Sequence, residues 1–201
     1  RQTRYEYDEL RRPAKKELWL YDDVEEEWAL EQTLEEMEYG EDQADDKDHN
    51  LRGKLYKHYD GGGVLTYPAY DFKGNLLSLV RQFAADATRH PDWNDTVPLE
   101  EDDNSDPVLY ITSMTYDALN RPVTLTTPEG GVTSHTYNKT GLLYSVEVDS
   151  VHGVSDTIVT GIVYDAKGQR LKIQYGNGTT TKYTYDSNTF RVTRIRTIRP
   201  G

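Results

Sequence analysis

The stretch TYDALNRPVTLTTPEGGVTSHTYNKTGLL, residues 115–143, decides the fold of this chain. A Tyr-Asp pair at Tyr116 returns as Tyr-Asn at Tyr137, 21 residues later, and each pair is followed by a turn and an apolar run. The same 21-residue step separates Tyr164 from Tyr185. A fixed period of this kind is typical of chains that repeat one supersecondary unit. The spacing therefore predicts an array of such units.

Tyrosine-led pairs occur seven times, with steps of 52, 11, 46, 21, 27 and 21 residues between their tyrosines. The steps are regular in the second half, and the longer steps in the first half indicate insertions. Because 46 residues is close to two units, we expect one hairpin between residues 70 and 116 to have lost its marker. The predicted structural repeat motif consists of Tyr7, Asp8, Tyr59, Asp60, Tyr70, Asp71, Gly74, Tyr116, Asp117, Asn120, Tyr137, Asn138, Gly141, Tyr164, Asp165, Gly168, Tyr185 and Asp186.

Each pair is expected to open a turn. Asp71 and Asp165 are followed three residues later by Gly74 and Gly168, an order that favours a type I turn. The Asp side chain accepts hydrogen bonds from nearby backbone amides, and Gly tolerates the geometry at the exit of the turn. Asn138 should open a turn of the same kind.

Three of the turns depart from this pattern. Asn120 stands where the others have Gly, and Asn is the next most tolerant residue of a positive φ. The turns that follow Asp8 and Asp186 have no Gly at the fourth position. We expect these two turns to be less tight.

Apolar and polar residues alternate between the turns, as they do in half-buried β-strands. The alternating sets are Leu142, Tyr144, Val146 and Val148; Leu171, Ile173 and Tyr175; and Thr181, Tyr183 and Tyr185. We therefore predict an all-β fold of consecutive antiparallel β-hairpins in a curved ribbon, with a few loop or short helical insertions.

Residues 17–38 fit two structures. Their Glu, Leu and Ala content favours a helix, and Leu30, Leu34 and Met37 would share one helical face. Trp28, Leu30 and Leu34 also fit one face of a strand. We favour the strand, with residues 22–27 as the connecting loop.

The chain is expected to have four parts within one continuous array. Residues 1–50 would form divergent hairpins with an acidic loop, and residues 51–83 a pair of repeats. Residues 84–107 would be an inserted loop with a short helical turn before Pro91. Residues 108–201 would hold the regular repeats. We expect the chain to be a piece of a longer protein.

Composition supports this fold class and excludes others. The chain has 16 Tyr but 3 Phe and 2 Met, which suits a sheet with a dry and a wet face better than a compact apolar core. There is no Cys, and therefore no disulfide framework. The net charge is −12, with 28 acidic and 13 basic side chains in residues 1–106. An acidic chain binds nucleic acid poorly, because phosphate binding requires Lys and Arg.

The motifs resemble the Rhs/YD-repeat family. The stretches YDALNRPVTLTTPEGGVTSHTYN and YDAKGQRLKIQYGNGTTTKYTYD, residues 116–138 and 164–186, both fit its pattern of Tyr-Asp, a turn with Gly or Asn, and an apolar strand. The stretch HNLRGKLYKHYDGGGVLTYPAYDFKGNLLSLVRQ, residues 49–82, is similar to the Rhs portion of the B component of bacterial insecticidal toxin complexes.

The resemblance implies a structural role. In that family the B and C components build a hollow β-shell, which encloses a toxic domain until it is delivered through a pore-forming A component. The resemblance therefore implies that this chain is a secreted, non-catalytic wall segment without a cofactor. Its partners would be other Rhs segments, a C-component-like protein with its enclosed toxin domain and, indirectly, the A component. The alternative is an extracellular adhesion or glycan-binding module, as in teneurin-like YD proteins.

Few residues suggest chemistry. Asp102, Asn104 and Asp106 occupy positions 1, 3 and 5 of an EF-hand-like loop, but Pro107 replaces the required Gly and Ser113 the final Glu. The histidines have neither metal-ligand spacing nor neighbouring Cys, so we expect no zinc site; they are His49, His58, His90, His135 and His152. Motifs for a catalytic nucleophile are missing. We therefore expect no enzyme activity and no metal.

Overall fold

The computed structural model describes residues 1–150, 153 and 155–200, except for the side chain of Asp42. These residues form fourteen β-strands and one 3₁₀ turn, Gly40–Asp42. The strands are β1 (Gln2–Tyr7), β2 (Pro13–Asp22), β3 (Glu27–Tyr39), β4 (Leu55–Asp60), β5 (Gly63–Tyr70), β6 (Leu76–Phe83), β7 (Tyr110–Tyr116), β8 (Pro122–Thr126), β9 (Val132–Tyr137), β10 (Leu143–Asp149), β11 (Ser155–Tyr164), β12 (Arg170–Tyr175), β13 (Thr180–Tyr185) and β14 (Val192–Ile198).

The chain divides into two compact units, Arg1–Thr112 and Ser113–Gly201. In the first unit, β1 to β6 lie side by side in chain order, and each strand pairs antiparallel with the next. In the second unit, β7 to β14 follow the same rule. The predicted all-β fold of consecutive hairpins is therefore confirmed. The four-part division expected from the sequence stays a prediction.

The sheet buries little apolar surface. Among the large apolar side chains of the described residues, the buried ones are Leu51, Val64, Ile162 and Ile173. Most strand residues are half-buried instead, as expected for a chain whose aromatic surface is mainly tyrosine. Stability must come from many cross-strand pairs, each of which contributes roughly 0.2–1 kcal/mol.

Residues 17–38 form strands β2 and β3, and the turn between them lies at residues 23–26. The strand interpretation is correct, against the helix propensity of the segment. Cross-strand packing accounts for this: Tyr21 faces Trp28, with the ring centroids 5.4 Å apart in an edge-to-face arrangement. Such pairing outweighs intrinsic propensities, which differ by less than about 1 kcal/mol per residue.

One predicted strand face is wrong. Tyr144 was expected on the inner face with Val146, but its side chain is 48% exposed and Ser145 is 7% exposed. The register of β10 against β9 shifts between Leu143 and Ser145. A bulge of this kind inserts one residue and exchanges the two faces on one side of it.

Residues 84–107 contain no helical turn, contrary to expectation. Pro91 disfavours the helical region for His90, and the Asp86 carboxylate instead accepts bonds from the amide and hydroxyl of Thr88, at 2.9 and 2.5 Å. The insertion contains a tight turn closed by one isolated β-bridge. Glu101 bridges to Pro107 around a turn opened by Asp102, with no tyrosine before it. That this turn belongs to a repeat that has lost its tyrosine stays a prediction.

Candidate functional site: the repeat turns

One turn geometry recurs along the chain. The amide of the first turn residue donates to the carbonyl of the fifth, and the amide of the fourth donates back to the carbonyl of the first, at 2.8–3.1 Å. This is the three-residue hairpin loop in which a type I turn is followed by a left-handed residue. The turns begin at Asp8, Asp71, Asp102, Asp117, Thr127, Asn138, Asp165 and Tyr175.

The fourth residue of each turn has a positive φ. The values lie between 62° and 86° for Arg11, Gly74, Ser105, Asn120, Gly130, Gly141, Gly168 and Gly178. Gly adopts this region without strain, whereas a residue with a Cβ does not. The turn after Asp8 was expected to be looser, but it closes with the same bonds as the Gly turns. Of the two turns that were expected to be looser, only the Asp186 turn is longer: the Asp186 amide donates to the carbonyl of Arg191.

The side chain of the first residue completes the turn. In the Asp71 turn, Oδ1 accepts the amides of Lys73 and Asn75, both at 2.9 Å. In the Asn138 turn, the amide oxygen accepts the backbone N–H groups of Thr140 and Leu142, both at 3.0 Å. In each turn, one side-chain oxygen accepts two backbone N–H groups. This explains why Asp and Asn are interchangeable at the first position.

The same bonds favour the ionised carboxylates. The side-chain amide of Asn75 and the backbone amides of the turn lower the pKa of Asp71. Backbone amides of Asp106 and Asn104 lower the pKa of Asp102. In that turn, Asp102 Oδ1 accepts the backbone N–H groups of Asn104 and Asp106, at 2.8 and 3.0 Å.

In two turns the fifth residue is arginine, and it joins the turn to the next unit. Arg121 donates from Nε to Asp117 at 2.6 Å, and its guanidinium lies 4.1 Å from the ring centroid of Tyr137. Arg12 donates to Asp8 at 2.6 Å and lies 3.8 Å from the ring of Tyr39. The cation–π contact with the tyrosine ring adds a second favourable interaction to the ion pair between arginine and aspartate.

The tyrosines make the most regular long-range contact. In five units the hydroxyl donates to a backbone carbonyl at the start of the preceding strand, which is the antiparallel partner of the strand that the tyrosine ends, at 2.7–2.9 Å. We call this contact the tyrosine staple. Its pairs are Tyr39 with Pro13, Tyr70 with Leu55, Tyr137 with Pro122, Tyr164 with Leu143, and Tyr185 with Arg170. Each staple ties the end of a hairpin's second strand to the start of its first strand.

Three predicted tyrosines do not staple. Tyr59 donates to the Glu38 carboxylate at 2.6 Å, and burial together with this bond raises its pKa. Tyr116 contacts the sulfur of Met114, and Tyr7 is exposed. The pair at residues 59 and 60 also opens a different turn. Asp60 begins a two-residue loop and binds Arg81 through both oxygens, at 2.8 and 2.9 Å.

Tyr39 was missed in the sequence because no Asp follows it. The chain continues as Gly40 and a loop to Lys54 in place of a short turn. The available signal was a tyrosine that ends an alternating segment and precedes a turn-rich stretch. That the predicted motif residues are the functional residues of the chain stays a prediction.

The remaining polar candidates make structural contacts. His58 lies 3.0 Å from Glu35, which also accepts from Lys16 at 2.7 Å and has a lowered pKa because of these partners. His135 packs in strand β9, beside Val146 of β10. Within residues 1–150, 153 and 155–200 there is no cluster of three or more potential metal ligands. His152 lies outside the described residues.

Comparison with known proteins decides the relationship. No family model matches the chain. Toxin subunits YenC1 and YenC2 of Yersinia entomophaga are 28% and 27% identical to it over 171 and 172 residues, which cover 85% and 83% of this chain and 18% of each subunit. The crystal structure of TcdB2-TccC3 matches 98% of this chain and 10% of its own, with a TM-score of 0.75 and 25% identity.

The chain resembles the Rhs portion of toxin complexes, and both kinds of comparison confirm this resemblance. It spans less than one fifth of the length of the curated relatives it matches. In the part of it that the structure describes, no helix is long and apolar enough to cross a membrane.

Proposed function

We propose that this chain is a non-catalytic wall segment of an Rhs/YD-repeat shell that encloses and protects a toxin or effector polypeptide before delivery. Its similarity to toxin-complex subunits supports a structural role in such a complex. The observation that carries the proposal is the tyrosine staple. A wall must resist fraying of its hairpins, and the staple adds a side-chain hydrogen bond across the open end of a hairpin, between its two paired strands.

The chemistry of the sheet surface supports containment. Polar side chains within the sheet bond to one another across strands: Thr136 with Ser145 at 2.6 Å, and Thr181 with Thr197 at 3.0 Å. Such pairs satisfy their polar groups internally. A surface of this kind offers an enclosed polypeptide few unsatisfied groups to bind, and so would hold it without trapping it.

The partners follow from the same proposal. They are other Rhs segments of the shell, a C-component-like protein with its enclosed toxin domain and, indirectly, a pore-forming A component. The complete particle would act outside the producing cell.

Protease protection tests the proposal. In the full-length protein assembled with its partner and toxin domain, the triple variant Tyr137→Phe, Tyr164→Phe, Tyr185→Phe should make the toxin domain several-fold more sensitive to protease. A matched triple variant at the exposed tyrosines Tyr5, Tyr7 and Tyr144 should leave it protected. A wild-type assembly in which the toxin domain is cleaved as fast as the free domain would contradict the proposal.

One surface favours the alternative function. Arg4, Trp19, Tyr21 and Trp28 form an aromatic patch on β1 to β3, in which the Arg4 guanidinium lies 4.1 Å from the Trp19 ring centroid. Aromatic rings of this kind can stack on sugars. Glycan binding by the chain that is lost with Trp28→Ala would support an adhesion module in place of a wall.

A further inference from the structure

Strand β3 is longer than its partner on one side. It runs over thirteen residues, Glu27–Tyr39, whereas β4 has six and pairs with β3 only from Glu36 to Tyr39. The first half of β3 is therefore paired with β2 along one edge. Its other edge extends past the end of β4. An edge of this kind presents backbone donors and acceptors that another strand can use.

Part of this edge already holds an extended segment. We call residues 90–94 the strap. Thr33, which is 0% exposed, donates its amide to the Asp92 carboxylate at 2.9 Å, and its carbonyl accepts the amide of Trp93 at 3.1 Å. Gln32 donates to the carbonyl of Pro91 at 2.9 Å. The edge thus accepts backbone partners from outside the β3–β4 ladder.

The strap ends where an exposed stretch begins. Residues 27–31 are all exposed, and in the described part of the chain no strand pairs with them on the side opposite β2. Trp28 and Leu30 are 39% and 40% exposed, although both are large apolar side chains. Residues 27–31 therefore continue the edge of β3 that the strap occupies at Thr33.

The two faces of the stretch differ in chemistry. Trp28 and Leu30 lie opposite Tyr21 and Trp19 of β2, so that one face is aromatic and apolar. Glu27 lies on the other face, opposite Asp22. Three further acidic residues, Asp23, Glu25 and Glu26, lie in the adjoining turn. A strand added here would meet apolar side chains on one face and carboxylates on the other.

We propose that residues 27–31 receive an extended segment of alternating apolar and basic residues as an added strand. The free backbone groups of β3 supply the pairing, Trp28 and Leu30 pack against its apolar residues, and the surrounding carboxylates attract its basic ones. Like-charged side chains directly opposite would disfavour an acidic segment. The proposal goes beyond containment, and it holds for a wall segment and for an adhesion module alike.

The test uses a fluorescein-labelled peptide of alternating Lys and Val residues, KVKVKVK, added to the full chain. Fluorescence anisotropy should show saturable binding that weakens as salt rises, since exposed charge pairs are screened. Hydrogen exchange should slow at the amides of residues 27–31 and stay unchanged in β8 and β9. A peptide with Glu in place of Lys should bind at least about tenfold more weakly.

Two charge reversals locate the site. Glu27→Lys should weaken binding of the basic peptide about threefold to fivefold, because it places like charges across the new pair. Glu9→Lys reverses an equally exposed glutamate in the Asp8 turn and should change it little. If both variants lose binding of the basic peptide equally, the peptide is attracted to the acidic chain as a whole. That result would overturn the proposal. So would exchange protection elsewhere than residues 27–31, or no binding.

Discussion

At the scale of single residues, three positions of the repeat have different structural roles. Asp or Asn at the first position bonds the inward amides, a residue with positive φ at the fourth closes the loop, and tyrosine before the turn reaches an earlier strand. Because two of these roles depend on residues within the turn itself, they can be read directly from the sequence.

Removing the first-position side chain should open a turn. Asn138→Ala leaves the amides of Thr140 and Leu142 without their acceptor and should lower the free energy of unfolding by about 1–2 kcal/mol. Asn138→Asp keeps an oxygen at the same place and should change it by less than about 0.5 kcal/mol. Urea denaturation followed by circular dichroism measures both. Equal loss in the two variants would show that the oxygen does not hold the turn.

Relieving strain at a fourth position should stabilise the chain. Arg11 has a φ of 62°, which favours Gly. Arg11→Gly should raise the free energy of unfolding by about 0.5–1 kcal/mol, the difference between the strain removed and the added flexibility of the unfolded chain. Arg11→Ala retains a Cβ and serves as the control, with no gain expected. A destabilised Gly variant in thermal denaturation would argue against a strained turn.

Acid should weaken the turns. The pKa of Asp117 is lowered by its bond to Arg121, and that of Asp186 by the amide of Thr189. A carboxylate with a lowered folded pKa stabilises the fold above its unfolded pKa of about 4 and loses this contribution as the pH falls further. Asp117→Asn should therefore be destabilising at pH 7 and neutral near pH 2, as measured by urea midpoints. A difference that persists at pH 2 would contradict this origin.

At the scale of elements, the staple closes the open end of a hairpin. Tyr164, at the end of β11, donates to the carbonyl of Leu143 at the start of the paired strand β10, at 2.7 Å. Tyr164→Phe should leave that carbonyl unpaired and lower the free energy of unfolding by about 1 kcal/mol. Tyr144→Phe, at an exposed tyrosine, is the control and should be neutral. If both variants lose the same free energy of unfolding, the hydrogen bond from Tyr164 does not stabilise the hairpin.

The sequence predicts these elements unevenly, for a physical reason. Turn chemistry and strand alternation are local, so the hairpins, the Asn120 turn and the strands of residues 17–38 could all be predicted. Tyr39 and the strap could not, because their partners are 26 and 59 residues away. The bulge that exposes Tyr144 depends on how β9 and β10 register, which the pattern of one strand does not specify.

At the scale of the whole molecule, the central claim is that these hairpins form a wall around a polypeptide. Cryo-electron microscopy of the full-length protein with its partner tests it most directly. The account predicts that the fourteen strands lie in a closed shell, with one face towards an internal volume that holds density for the enclosed chain. Strands found on an exposed arm, with solvent on both faces and no enclosed volume beside them, would contradict it.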